Sequence, residues 1–464
     1  MLKFSLAELS QCAQSDLVIS GAVDRESQGA VLTDSRSIGP GDIYLALAGE
    51  RFDGHNFVIA ALKAGASMAI IDAAWLQKLS LELPPGKALL PVNGGTLAFY
   101  QEIALHARRK YSGQIKVIGV TGSSGKTTTK EMLGAVFSAR RAHKSAANEN
   151  NEIGVPKTIL SMPPDSEFLI LEMGMRGLGQ IAELAACSLP EIGIITSIGS
   201  THIELLGSLE NIAIAKCELY ASLENNSPRG VAICGNLTDL ARAASQEVYK
   251  GVVINFDEAG VKIISITASG TTFTCDEDRH SQEYFVRAHG DFLLRDAWCA
   301  VVAAHHAGLL SEEIATGLAS WQPVQGRGNL LKLSSGTLIV DETYNANPDS
   351  VRCAVESLLT GDNFKDRKKI VILGKMAELG EFTESLHKDL GQWLKDKPID
   401  MLVTMGDVAA LIGEGAEGGK FAINNMAGLE ETLMFIKKLE GESPCIMLKG
   451  SHSTNMHELI KLLI

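Results

Sequence analysis

Along most of this chain the apolar residues come in short unbroken runs and do not alternate with polar ones. "KVIGVTG", "EFLILEMG", "EIGIITSIG" and "GVAICG" are four such runs, with helical stretches between them. Continuous apolar strands separated by helices predict a parallel sheet covered on both faces. After "SWQPVQGRGN" the rhythm restarts, and "TLIVDETYNA", "KKIVILGKM", "DMLVTMG" and "PCIMLKGS" again alternate with helices. The first ninety or so residues read differently, with short strands and Gly-rich turns such as "SIGPGDIYLAL" and "GERFDGHNF". A helix-like "NFVIAALKAGA" precedes "MAIID", and "LPPGK" breaks the pattern. The prediction is an α/β chain of three domains: a small N-terminal α/β unit over residues 1–93, a central parallel-sheet domain over 94–322, and a C-terminal α/β domain over 323–464.

Composition narrows the class without changing the layout. At 464 residues the chain exceeds one ordinary core, and 45% hydrophobic with 21% charged residues marks it as globular. A net charge of −13 argues against a nucleic-acid binder, which needs a basic excess against the phosphate backbone. Eight cysteines lie far apart with no C-x-x-C pair, so reduced and mostly buried thiols are expected, as in the cytoplasm. The start, "MLKFSLAELSQ", carries Glu8 and lacks a long apolar core, and no run reaches the length of a membrane span. A cytoplasmic protein is the expectation.

The chemistry begins at "GVTGSSGKTTTKE". Strand, tight turn and helix follow one another, the context in which Gly122 and Gly125 let backbone N–H groups approach phosphate oxygens at a helix N-terminus. Ser123, Ser124 and Thr128 share the loop; Lys126 would neutralise terminal phosphates, and the Thr127 hydroxyl would reach Mg²⁺. The spacing is G-x-x-G-K-T, shorter than G-x-x-x-x-G-K-[ST], which disfavours ordinary GTPases and motor ATPases. Glu172, His202 and Asp341 each end or follow a predicted strand, where open α/β sheets bind ligands. Glu172 and His202 are candidate metal ligands. Lys216 falls among Ile212, Ala213, Leu219, Tyr220 and Leu223 on the apolar face of "ENIAIAKCELYASL". It either snorkels to the surface or faces the core or a cleft; the pattern leaves both open.

Taken in order, "GVTGSSGKTTTKE", "ANENNEIGVP", "LEMGM", "THIELLGS", "AIAKCEL", "QGR", "DETYNANPDS" and "KGSHSTNM" resemble the motifs of the Mur ligases, ATP-dependent amide ligases of peptidoglycan precursor synthesis. "TDSR", "GDIYLALAGERFDGHNF", "YNANPDS" and "GKMAELGE" are most similar to the member that joins D-alanyl-D-alanine to UDP-N-acetylmuramoyl-tripeptide. The resemblance spans the whole chain. It implies an N-terminal UDP-substrate domain, a central P-loop ATPase domain and a Rossmann-like C-terminal ligase domain. It implies ATP and two Mg²⁺ ions, with Lys126 and Thr127 at the phosphate and metal, Glu172 and His202 as metal ligands, and Lys216 carbamylated by CO₂ so that it too serves metal. Asn150 and Asn151 match a pair near nucleotide and acyl substrate. Arg327, Asp341, Tyr344 and Asn345 match residues that close over ATP, and Ser35 and Arg36 match the grip on the UDP moiety. The implied partners are the two small-molecule substrates, with no nucleic acid and no membrane span, and the implied state is a monomer.

Three motifs depart from the family pattern. In "GDFLLRDAW", Phe292 and Leu293 replace the first two residues of a His-Asn-x-x-Asn-Ala pattern beside adenine, and Asp296 replaces the second Asn. Lys375 stands in "GKMAELG" where an acidic residue is usual. His452 replaces the Arg of "KGSR", exchanging a permanent charge for a group that titrates near neutrality at a candidate substrate carboxylate. These departures keep two other readings in view: an amide ligase of the same superfamily with a different amine, and a nucleotide-binding protein of low activity.

Overall fold

The computed structural model describes residues 1–49, 52–77, 82–227, 230–257, 260–267, 269–276, 282–288, 290–361, 364–439 and 442–464. Its central sheet is parallel throughout, in the order Ala142–Lys144, Phe168–Glu172, Lys116–Thr121, Ile192–Ile195, Val231–Cys234, Val253–Asn255. The unbroken apolar runs are explained by what covers each face. Ile118, Val120, Ile170, Ile194 and Ile233 pack into one core layer with the helices Lys126–Val136 and Asp291–Ala307. Val117, Leu169, Leu171, Ile195 and Ala232 pack into the opposite layer with Thr96–Lys110, Gln180–Ser188 and Leu209–Asn226. Successive residues point to opposite faces and both faces are dry, so every position must be apolar.

The C-terminal sheet repeats this plan in the order Asn329–Lys332, Leu338–Glu342, Cys445–Lys449, Lys369–Gly374, Met401–Met405, Ala422–Met426. Only its first pair is antiparallel. The N-terminal unit is a five-stranded sheet in the order Val18–Ser20, Lys87–Val92, Met68–Asp72, Ile43–Leu45, Val31–Leu32. Leu2, Phe4, Leu6 and Leu9 join it to the central layer that holds Val155 and Ile159. The turn "GERFDGHNF" is described except for Glu50 and Arg51, which lie outside the described residues.

The pattern does not anticipate an antiparallel sheet of Val261–Thr267, Gly270–Cys275 and Tyr284–Val286. Its outer strand keeps Ile263, Ile264 and Ile266 exposed, so the apolar signal there does not report a core. None of the eight cysteines is in a disulfide, and only Cys12 and Cys353 are not fully buried. Among the described residues no helix is long and apolar enough to cross a membrane.

Candidate active site

The loop at Gly122–Lys126 lies where the central sheet changes direction of growth. Its strand is flanked by Phe168–Glu172 on one side and Ile192–Ile195 on the other, with Val120 opposite Glu172 and Thr121 opposite Ile195. Three strand ends therefore converge on one point, the switch point at which such sheets bind ligands. Two glycines make the loop possible. Gly122 has φ +152° and Gly125 has φ +88°. A methyl group on Gly122 would fall on the Thr196 hydroxyl, and one on Gly125 on the Asp296 carboxyl. Gly122→Ala is therefore expected to weaken ADP binding about tenfold or more, since displacing the loop by ~1.4 kcal/mol already does so. Calorimetric titration checks this, and an unchanged affinity would contradict it.

Glu172 is the best-held carboxylate of the site. It is 2% exposed, and its Oε2 accepts from the Thr127 hydroxyl at 2.9 Å while Oε1 accepts from Asn150 Nδ2 at 2.9 Å. The fully buried Lys130 stands 3.6 Å from Oε2 and also meets Glu131 at 3.1 Å. Lys130 is a residue the sequence reading missed, although it lies one helical turn after Lys126 in "KTTTK", a spacing that shares a face. The Lys126 ammonium bends back onto the Gly122 carbonyl. Burial lowers its pKa; the Glu172 charge opposes that shift and Arg327 adds to it.

The turn after Ile192–Ile195 links this loop to the C-terminal domain. Ser123 N–H donates to the Ser197 carbonyl, Ser124 N–H donates to Ser197 Oγ, and Ser123 Oγ donates to the Gly199 carbonyl. The next three residues are each held from across the domain boundary. Ser200 N–H donates to Asp349 at 3.0 Å, and Thr201 Oγ1 accepts from Asn347 Nδ2 at 2.7 Å. His202 Nδ1 lies 2.6 Å from Glu378 Oε2 and holds that carboxyl below its usual range. Asn347 also caps the helix Pro348–Thr360 and reaches Ser124 Oγ at 3.2 Å. None of Asn347, Asp349 and Glu378 was singled out from the sequence; their roles depend on a contact between distant segments.

From the C-terminal side, Arg327, Tyr344 and Asn345 line the same cleft as Lys126, Glu172 and His202. The cleft holds about 920 Å³. The Arg327 guanidinium lies 3.9 Å from the Tyr344 ring centre, and Tyr344 donates to Asn148 of the central domain. The buried Lys449 meets Glu342 at 3.1 Å and the Asn345 carbonyl at 3.0 Å. The cleft wall also includes the apolar Phe292, Leu293, Leu358 and Phe364.

Several expected site residues lie elsewhere. Asp341 is 1% exposed and spent on its own turn, accepting from Gly326 N–H at 2.9 Å and from the Thr343 hydroxyl at 2.6 Å. It fixes the turn that carries Arg327 and does not line the cleft. Asp296, expected beside adenine, is likewise buried and absent from the cleft wall; it faces the phosphate loop from behind. Lys216 does not snorkel. It is 1% exposed, and burial, reinforced by the Lys126 charge, drives its pKa well below that of an ordinary lysine. His452 begins a short turn and stacks on His457, 5.2 Å between ring centres, away from the cleft. Ser35 and Arg36 sit on a turn of the N-terminal unit, outside the cleft, where the Arg36 guanidinium meets Asp34 at 2.8 Å. Asn150 and Asn151 both line the cleft, Asn151 also accepting from Gly154 N–H at 2.9 Å. Among the described residues no three His, Cys, Asp or Glu side chains gather as a ready metal cluster.

Three family profiles match the chain: "Mur ligase family, catalytic domain" over residues 29–89, "Mur ligase middle domain" over 120–304, and "Mur ligase, glutamate ligase domain" over 326–452. The UDP-N-acetylmuramoyl-tripeptide–D-alanyl-D-alanine ligase of Bacillus subtilis is 33% identical over 94% of this chain and 93% of its own length. The ligase of the same name from Escherichia coli is 30% identical over 94% and 93%. A crystal structure of MurF from Acinetobacter baumannii superposes with a TM-score of 0.85 at 29% identity, covering 100% of this chain and 99% of that one. MurF ligase from Thermotoga maritima in complex with ADP gives 0.79 at 25% identity, covering 94% and 97%.

Proposed function

The chain belongs to the Mur ligase family, and from that premise we propose that it is the ligase that joins D-alanyl-D-alanine to UDP-N-acetylmuramoyl-tripeptide at the expense of ATP. The carrying observation is the single cleft in which a phosphate loop, a buried carboxylate and the C-terminal Arg327, Tyr344 and Asn345 face one another. A carboxylate resists amine attack because its carbonyl is electron-rich. Transfer of the ATP γ-phosphoryl group to the tripeptide carboxylate makes an acyl phosphate, and ADP leaves. The dipeptide amine attacks the acyl carbon, a tetrahedral intermediate forms, and phosphate departs as the amide closes. Lys126 and the loop N–H groups are placed to hold the charge that moves between phosphate oxygens. Arg327 and Tyr344 lie across the cleft and would exclude water from the acyl phosphate.

The donors beside the loop suit Mg²⁺, which favours oxygen ligands from one or two carboxylates together with substrate phosphates. Thr127 and Glu172 supply such oxygens 2.9 Å apart. Bound there, the ion would neutralise phosphate charge. A second ion would be held by His202, which lines the cleft, and by Lys216 as its carbamate, which lies buried behind the cleft wall. The depressed lysine supports this, because only a neutral amine attacks CO₂; the N–C bond forms, a proton leaves the nitrogen, and a buried neutral amine becomes an anion. In this reading Ser35 and Arg36 grip the UDP moiety, and the domains divide near residues 93 and 322. In this reading the enzyme works as a monomer in the cytoplasm.

Purified protein with ATP, Mg²⁺, UDP-N-acetylmuramoyl-tripeptide and separate candidate amines tests the reading. Phosphate release should depend on D-alanyl-D-alanine. Release driven by a different amine, with none for this dipeptide, would sink the specific assignment and leave the family intact.

A further inference from the structure

Asp296 projects from the helix Asp291–Ala307 toward the helix Lys126–Val136, the two packing side by side beneath the phosphate loop. It is 1% exposed. Its Oδ1 occupies the space into which a side chain on Gly125 would grow, so the carboxyl bears directly on the loop residue that starts the helix. Its Oδ2 is buried with no hydrogen-bond partner. The Thr129 hydroxyl, on the first turn of that helix, is fully buried, makes no hydrogen bond of full geometry, and is the side chain whose hydrogen bonding acts on the carboxyl. An ionised carboxylate in such a place is shut off from solvent and, among the described residues, has no ion-pair partner, which strongly disfavours the charge. One proton removes the difficulty, because a neutral acid has a donor to offer and no charge to solvate.

We propose that Asp296 works as a neutral carboxylic acid that shares its proton with the Thr129 hydroxyl, and that in this form it positions the phosphate loop by backing Gly125. It touches the loop, not the nucleotide, and is a positioning residue. Burial raises its pKa well above the carboxylate range, with Thr129 and the Arg327 charge opposing only in part. The surroundings offer little else. On the neighbouring phosphate-loop helix, Lys126 is turned to the Gly122 carbonyl, and Lys130 to Glu131 and Glu172. The strand Val231–Cys234 presents the Cys234 thiol, and Asp296's own helix adds Arg295 and the Cys299 thiol, which Asp296 helps push up. The helix Ser311–Ser320 brings Glu312 and Glu313, the latter paired with Arg140, while Pro348–Thr360 brings Asp349, Arg352, Cys353 and Glu356. The neutral acid then resembles a side-chain amide, able to donate where an anion could not.

The functional arm rests on the proposed nucleotide site; the spectroscopic arm does not. Infrared difference spectra at pH 7 between the wild type and Asp296→Asn should contain a protonated-carboxyl C=O band that belongs to the wild type alone. Its absence means an ionised Asp296 and overturns the proposal. In ADP titrations, Asp296→Asn should stay near the wild-type affinity while Asp296→Ala binds roughly tenfold more weakly, the loss expected for an unpaired buried partner. An Asn variant as weak as the Ala variant overturns it as well. Stability adds a third readout that does not need the Ala variant to fold. A raised folded pKa means that the native state keeps its proton above about pH 3.9 where the unfolded chain has lost it, so the Asp296 contribution declines as pH rises. The Asn variant should therefore gain thermal stability over the wild type with rising pH, and a gap that stays constant or shrinks counts against the proposal.

Discussion

Replacing Lys216 with alanine is expected to cut amine-dependent phosphate release by about 10²-fold or more, the scale on which a residue supporting a metal ligand set acts. Bicarbonate should not help this variant, which has no amine to modify, whereas acetate, a loose carboxylate, should restore part of the rate. The physical reason is the place of the side chain. At 1% exposure, with Lys126 as its charged neighbour, an unmodified ammonium has no favourable role there. A full rate without added carboxylate would return Lys216 to a packing role. Stability supplies an independent check in buffer freed of CO₂. The unfolded lysine holds its proton to about pH 10.4 while the folded one releases it earlier, so the unfolded state binds more protons in between and stability rises with pH across that window. Lys216→Met should flatten this dependence and raise the melting temperature at pH 7 while remaining inactive.

Lys126→Ala is expected to lower turnover by about 10²–10³-fold, as when a preorganised electrostatic donor is removed. The measurement is phosphate release at saturating ATP, with ADP affinity determined in parallel. Loss of both follows if the lysine holds the ground-state phosphates; loss of turnover alone follows if its charge acts mainly during transfer. A variant that retains wild-type turnover would contradict the site as drawn. Lys130 is the neighbour to compare, because its ammonium serves Glu172 and Glu131 and does not face the cleft.

How far the sequence reading reached follows from how local each feature is. The loop at Gly122–Lys126 was legible as a structure because strand, glycines, lysine and helix lie within a dozen residues and each has a local reason to be there. Glu172 was legible because it ends an apolar run, and strand ends of such sheets meet at one edge. Asp341 fits the same rule yet turned inward, since Gly326 and Thr343 lie close enough to claim both oxygens. Nothing in a linear pattern distinguishes these outcomes. Asp296 was read through its counterpart beside adenine, but helix packing turns it toward Gly125. The burial of Lys216 was undecided for a related reason: a long aliphatic stem suits an apolar helix face whether or not its end escapes. The strand Val261–Thr267 escaped notice because its isoleucines are exposed and do not mark a core.

The turn from Ser197 to His202 carries a constraint of a different kind. Part of what it gives to the loop at Gly122–Lys126 and to the C-terminal domain comes from its main chain, the Ser197 and Gly199 carbonyls and the Ser200 N–H, and part from the Ser197, Thr201 and His202 side chains. Main-chain groups are common to every residue type, so chemistry at a position such as Ser200 is negotiable. Spacing is not. Adding or removing one residue would shift three successive partners at once and leave Asp349, Asn347 and Glu378 opposite the wrong atoms. Evolution can therefore respell Ser200 more readily than it can lengthen the turn, while Ser197, Thr201 and His202 keep side-chain partners that a change of letter would lose.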